Sequence, residues 1–140
     1  NIVYNDDYFI VLDYTNKPIY ELNKNVPINL DKNNVFDYVR FFFDYVKGKQ
    51  GRFLITESIE DMSWREEPPP AAKKALGQML KSLTLKKKQE SGKYNLEATM
   101  IFRDSLFSSD ITVQENGQVV LSNEELLVED IPVVDDVVGL

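Results

Sequence analysis

Apolar and polar positions alternate most regularly between residues 94 and 103. Tyr94, Leu96, Ala98, Met100 and Phe102 fall on one side and Asn95, Glu97, Thr99 and Arg103 on the other, with Ile101 the one exception. A period of two predicts a half-buried strand. Beyond Asp104-Ser105, the stretch Leu106 to Gln114 predicts its partner, with Phe107, Ile111 and Val113 on one face. Asn116-Gly117 then predicts a tight hairpin with positive φ at both turn positions, and Val119 to Leu121 begins the returning strand. Upstream, Arg52 to Thr56 predicts a buried strand around Phe53-Leu54-Ile55. Near the start of the chain, Tyr8 to Asp13 and Pro18 to Leu22 predict a hairpin joined through Thr15-Asn16-Lys17. Pro18 belongs at a strand start or a sheet edge there, because it has no N–H to give to a ladder.

Two stretches carry the longer period of a helix. The first runs from about Val35 to Lys47, with Asn34 as N-cap, Asp37 completing a capping box, and Gly48 as the stop. Its polar residues Asp37, Arg40, Asp44 and Lys47 form one narrow stripe. Everything else is Val, Phe or Tyr, including the consecutive Phe41, Phe42 and Phe43. A helix apolar around most of its circumference must be enclosed by its own domain or covered by a partner. The second stretch, Ala71 to Leu83, follows Pro68-Pro69-Pro70 and places Ala72, Ala75, Leu76, Met79, Leu80 and Leu83 on one stripe, with Lys73, Lys74 and Lys81 off it. Glu57 to Glu67 is an acidic connection holding Trp64, and Lys86 to Gly92 is a solvated connector. Residues 123–140 mix acidic and apolar residues, and predict an edge strand followed by a tail.

The element order β-β-α-β-α-β-β-β predicts one α+β domain over residues 1–140. Its curved, mainly antiparallel sheet has five or six strands, with two helices packed on one face. In element order alone this is similar to cystatin-like and nuclear-transport-factor-like cones, and to PAS-like sensors in its opening hairpin and closing meander. The cone outline would imply an apolar pocket, and the PAS-like outline a sensor module.

Composition narrows the chemistry. The 140 residues include eight Phe, seven Tyr and one Trp, enough for a sizeable core, and carry a formal net charge of −7. That sign repels phosphate backbones, so nucleic acid is not an expected partner. No run approaches the roughly 18 apolar residues of a membrane-spanning helix, so no membrane is expected either. There is no Cys and no His, which removes disulfides, thiol nucleophiles, thiolate metal sites and the usual neutral-pH base. Missing cysteine suits the cytoplasm. Residue 1 is Asn, which places the native start upstream or marks it as removed. No phosphate-binding glycine loop, nucleophile elbow or calcium loop occurs, and neither a cofactor nor a metal is expected.

Four constellations remain. Asp37 and Asp44 with Tyr38 and Tyr45 could perform acid–base chemistry if enclosed in an apolar cone, since carboxylate and phenol suffice without imidazole. The alternative is a charged stripe facing water. Lys73, Lys74 and Lys81, with Lys86 to Lys88, could dock an acidic partner, or form a solvated face. Phe41, Phe42 and Phe43 could form a homodimer interface, or be enclosed within one chain. Trp64 among acids and prolines could belong to a peptide-binding lid, or cover the core. The expectation is a non-enzymatic binding or protein-interaction domain, with another protein or itself as partner. The second reading is a pocket domain for a small apolar ligand.

Overall fold

A five-stranded antiparallel sheet frames the protein, seen here in a computed structural model that describes residues 1–4, 7, 9–48, 51–89 and 91–134. In chain order the elements are β1 (Ile2–Tyr4), β2 (Phe9–Val11), α1 (Lys17–Asn25), α2 (Asn34–Tyr45), β3 (Phe53–Ile55), a 3₁₀ turn at Ile59–Asp61, α3 (Pro70–Met79), β4 (Thr84–Leu85), β5 (Lys93–Phe102), β6 (Ser105–Gln114) and β7 (Val119–Val128). The order across the large sheet is β3-β5-β6-β7. Strand β6 pairs with β5 along its whole length, so β3 and β4 share the other edge of β5, end to end. Strands β1 and β2 form a separate two-stranded ribbon.

The expected α+β class and antiparallel sheet are both present, but the start of the chain differs from its expected layout. Strand β2 pairs with β1, and residues from Pro18 to Leu22 are helical, not extended. Proline at the first turn of a helix loses no hydrogen bond. In α1, Ile19 turns into the core, while Tyr20 and Asn23 reach the β6–β7 hairpin. Five residues of alternation fit either period, and tertiary contacts decide between them.

The sheet has a core on each face. On the first, Leu96, Ala98 and Met100 of β5 and Ile111 and Val113 of β6 pack against Ile19 of α1 and Val35, Val39, Phe42 and Phe43 of α2. Burying each large apolar side chain there stabilises the fold by about 2 kcal/mol. On the second face, Ile101 and Leu106 meet Met62, Leu76 of α3, and Ile131 and Val133 beyond β7. Two helices thus do share one face, but they are α1 and α2, while α3 lies opposite. Ile101, the exception to the sequence alternation, is a centre of that second core.

Local signals differ in detail from their sequence reading. Helix α2 has no side-chain cap bond from its N-cap Asn33. Instead Asp31 Oδ1 accepts from the backbone N–H groups of Asn33 and Asn34, at 2.8 and 2.7 Å. The β6–β7 turn has positive φ at Gly117 but not at Asn116. Gly117 N donates to Gln114 O at 2.8 Å and Gln114 N to Gln118 O at 2.9 Å, which makes a three-residue loop ending in a left-handed glycine. The C-terminal stretch forms the edge strand β7 and then the buried Ile131 and Val133; its expected tail, residues 135–140, lies outside the described residues.

Candidate interaction surface

The β1–β2 ribbon is apolar on both sides. Its register sets Ile2 opposite Val11 and Tyr4 opposite Phe9. Alternation then turns Val3 and Ile10 the other way, against the helix-side core. The outward four remain uncovered: Ile2 is 61% exposed, Tyr4 79%, Phe9 72% and Val11 58%. Two aromatics at about 150–250 Å² each, with two aliphatic neighbours, make this face on the order of 500 Å². That is the size of the largest apolar patch on an ordinary monomer, and such patches are often functional. Among the described residues the other large exposed apolar side chains are Val120 and Leu126, both on β7, and Val26, Met79 and Val134, each on a separate segment.

The outer edge of β7 is the other surface that invites association, and it is blunted. Its ladder to β6 slips at Leu106/Phe107 and again at Ser108/Asp110. Asn123 adopts a left-handed φ of 53°, and Glu124 and Glu125 are exposed beside it. Irregular register and like charge are the usual defences against strand addition.

Between β4 and β7, the sheet's second face is polar and open. Two adjoining hollows of about 270 and 370 Å³ share Asp110 and Asn123. Lys86 Nζ lies 3.3 Å from Asp110 Oδ2 and 3.8 Å from Glu97 Oε1. Asn123 Nδ2 donates to the same Asp110 oxygen at 2.7 Å. The central charges therefore compensate one another within the trough, rather than pairing a nucleophile with a base.

The residues singled out in the sequence are scattered. Asp37 is 90% exposed, with its carboxylate 3.9 Å from Arg40, and Asp44 also faces solvent. Tyr38 points away from both, donating to Gly117 O and accepting from Asn23 Nδ2 at 3.1 Å. Burial pushes its phenol up to about 12. Tyr45 packs on Phe41 with ring centroids 5.1 Å apart. Phe42 and Phe43 are buried and Phe41 is half-buried, all against the helix-side core. The aromatic helix is thus enclosed within the single chain, which is where Phe42 and Phe43 depart from their reading as interface residues. Trp64 is half-buried against the second core and bridges to Val133.

The lysines divide between helix α3, which carries Lys73 and Lys74, and the polar trough, lined by Lys81, Lys86 and Lys88. Lys73 sits over the Trp64 ring, 5.8 Å from its centroid, and pairs with Glu67. Lys74 is exposed on α3, whereas Lys81 lines the polar trough. The ribbon face was missed in the sequence although a signal was there. Ile2-Val3-Tyr4 and Phe9-Ile10-Val11 are short strands with no polar side, the pattern of strands covered on both faces. No known protein family, no curated protein and no solved structure matches this chain, so its function is read from its own surfaces.

Proposed function

We propose that this chain is a non-catalytic interaction domain whose N-terminal ribbon stacks face to face on the ribbon of a second copy. The observation that carries this reading is the outward row of Ile2, Tyr4, Phe9 and Val11 on a ribbon already anchored through Val3 and Ile10. An antiparallel pair bearing one aromatic on each strand can meet its own copy across a two-fold axis, which suits an isologous interface. Two faces on the order of 500 Å² give roughly 1,000 Å² buried in total, at the lower bound for a specific association. Two chains of net charge −7 also repel. The pair is therefore weak and reversible.

Sedimentation velocity of the chain from about 5 to 500 µM at near-physiological salt tests this, spanning the affinities expected of a small interface. The sedimentation coefficient rises with concentration, and the double variant Tyr4→Glu/Phe9→Glu stays monomeric with an unchanged circular dichroism spectrum and melting temperature. A parent chain still monomeric at the highest concentration overturns self-pairing. A dimer that survives the double variant removes the ribbon as its seat.

A further inference from the structure

The C-terminal end of α2 meets β3 and the end of β5 at a groove of about 310 Å³. Its apolar lining includes Phe43 and the stacked pair Phe53 and Phe102, with centroids 4.7 Å apart and planes 24° from parallel. Val46 completes that lining beside Gly48 and Gly51. The rim is of different chemistry, for Lys47 and Arg52 both line the opening. Lys47 Nζ lies over the Tyr14 ring, 4.8 Å from its centre. Arg52 Nη1 donates to Asp44 O at 2.6 Å, which brings a cation to the negative end of the helix. Two positive side chains at the mouth of an aromatic groove stand out in a chain of net charge −7.

We propose that this groove binds a medium-chain fatty acid, with its alkyl tail between Phe43, Val46 and the Phe53–Phe102 stack and its carboxylate at Lys47 and Arg52. The volume lies at the small end of ligand pockets, which are mostly apolar with a few placed polar groups. A cationic neutral-pH rim selects an anionic head over a neutral or cationic one. The open mouth and short tail make binding modest, with Kd on the order of 100 µM.

Decanoate titrated into the ¹⁵N-labelled chain, followed by amide shifts and calorimetry, tests the assignment. Decanoate moves the amides of Phe43, Val46, Phe53 and Phe102, decanol binds at least about tenfold more weakly, and decyltrimethylammonium moves none of them. Lys47→Glu weakens decanoate about tenfold or more without changing the melting temperature. Val46→Phe, which adds a ring to the apolar lining, abolishes the shifts while the rest of the spectrum keeps its dispersion. The proposal fails if decanoate up to about 1 mM leaves those amides in place, if decanoate and decanol bind alike, or if Lys47→Glu leaves the affinity unchanged.

Discussion

Tyr38 of α2 donates its phenolic proton to the carbonyl oxygen of Gly117, 79 positions further along the chain. Asn23 of α1 completes the junction by donating to the same phenol oxygen at 3.1 Å, and Tyr20 Oη accepts from Val119 N at 3.0 Å. Both helices of the first layer are thereby fastened to the tip of the β6–β7 hairpin by side-chain hydrogen bonds as well as by apolar packing.

Gly117 is fixed by this junction twice over. Its φ of 88° is in the region that favours glycine, and a Cβ there would lie 2.8 Å from the Tyr38 hydroxyl and closer still to Asn23 Nδ2. Gly117→Ala is expected to destabilise the fold by about 3 kcal/mol, measured by urea denaturation. Gly77, whose Cβ would meet nothing within 4 Å, is the control: Gly77→Ala in helix α3 stabilises by about 0.5–1 kcal/mol.

The same junction makes the protein sensitive to alkali. Burial holds the Tyr38 phenol at about 12, above its ordinary 10, and raises Tyr20 in the same direction. The folded state therefore binds the proton more tightly than the unfolded state. This contribution is fully present below pH about 10 and is lost as pH climbs through about 12. Melting temperatures recorded from pH 8 to 12 fall across that window, and Tyr38→Phe shallows the fall.

Thr99 carries a second junction. Its buried hydroxyl donates to Thr56 O at 2.7 Å and accepts from Lys81 N at 3.0 Å. Thr99→Val keeps the shape but strands both backbone groups, at an expected loss of about 1–3 kcal/mol. Thr99→Ser keeps the hydroxyl and loses only a methyl, at about 1 kcal/mol. A chemical-denaturation series that ranks Ser below Val in stability removes the hydrogen-bond account.

Self-pairing through the ribbon has its own signature in salt. Two bodies of charge −7 repel less as the screening length drops from about 10 Å at 0.1 M to about 3 Å at 1 M. Raising sodium chloride from about 0.05 to 0.5 M is expected to tighten the dimer several-fold in sedimentation equilibrium. Weakening with salt instead marks an interface held by ion pairs.

Much of the sheet is legible in the amino-acid sequence. The alternation from Tyr94 to Phe102 and the place of the β6–β7 turn, though not its type, depend on local periodicity and local backbone demands, which a sequence displays directly. The enclosure of α2 was also legible as one of two outcomes, because its aromatic circumference had to leave water somewhere. Residues 17–25 were not legible as a helix, because Ile19, Tyr20 and Asn23 are sorted by tertiary partners: the core on the helix side of the sheet, Val119 at 99 positions from Tyr20, and Tyr38. The ribbon face escaped because Ile2-Val3-Tyr4 carries no predicted element, and the strand around Phe9 to Val11 is predicted to pair with Pro18 to Leu22 instead of with β1. Which of two apolar sides stays uncovered depends on how the rest of the chain packs. The trough around Asp110 assembles from β4 to β7 and has no contiguous motif.

Because β3 and β4 lie end to end on one edge of β5, the chain leaves the sheet at Thr56 and rejoins it near Lys81, both tied to Thr99. Everything between, including the 3₁₀ turn, Trp64 and α3, is an excursion held at this neck and by backbone hydrogen bonds from Val134 N to Ser63 O and from Arg65 N to Pro132 O. Such a unit can open and reclose while β5, β6 and β7 stay paired. Its amides would then exchange with deuterium together and ahead of those around Leu96 and Ile111, and the single tryptophan sits inside the part that opens.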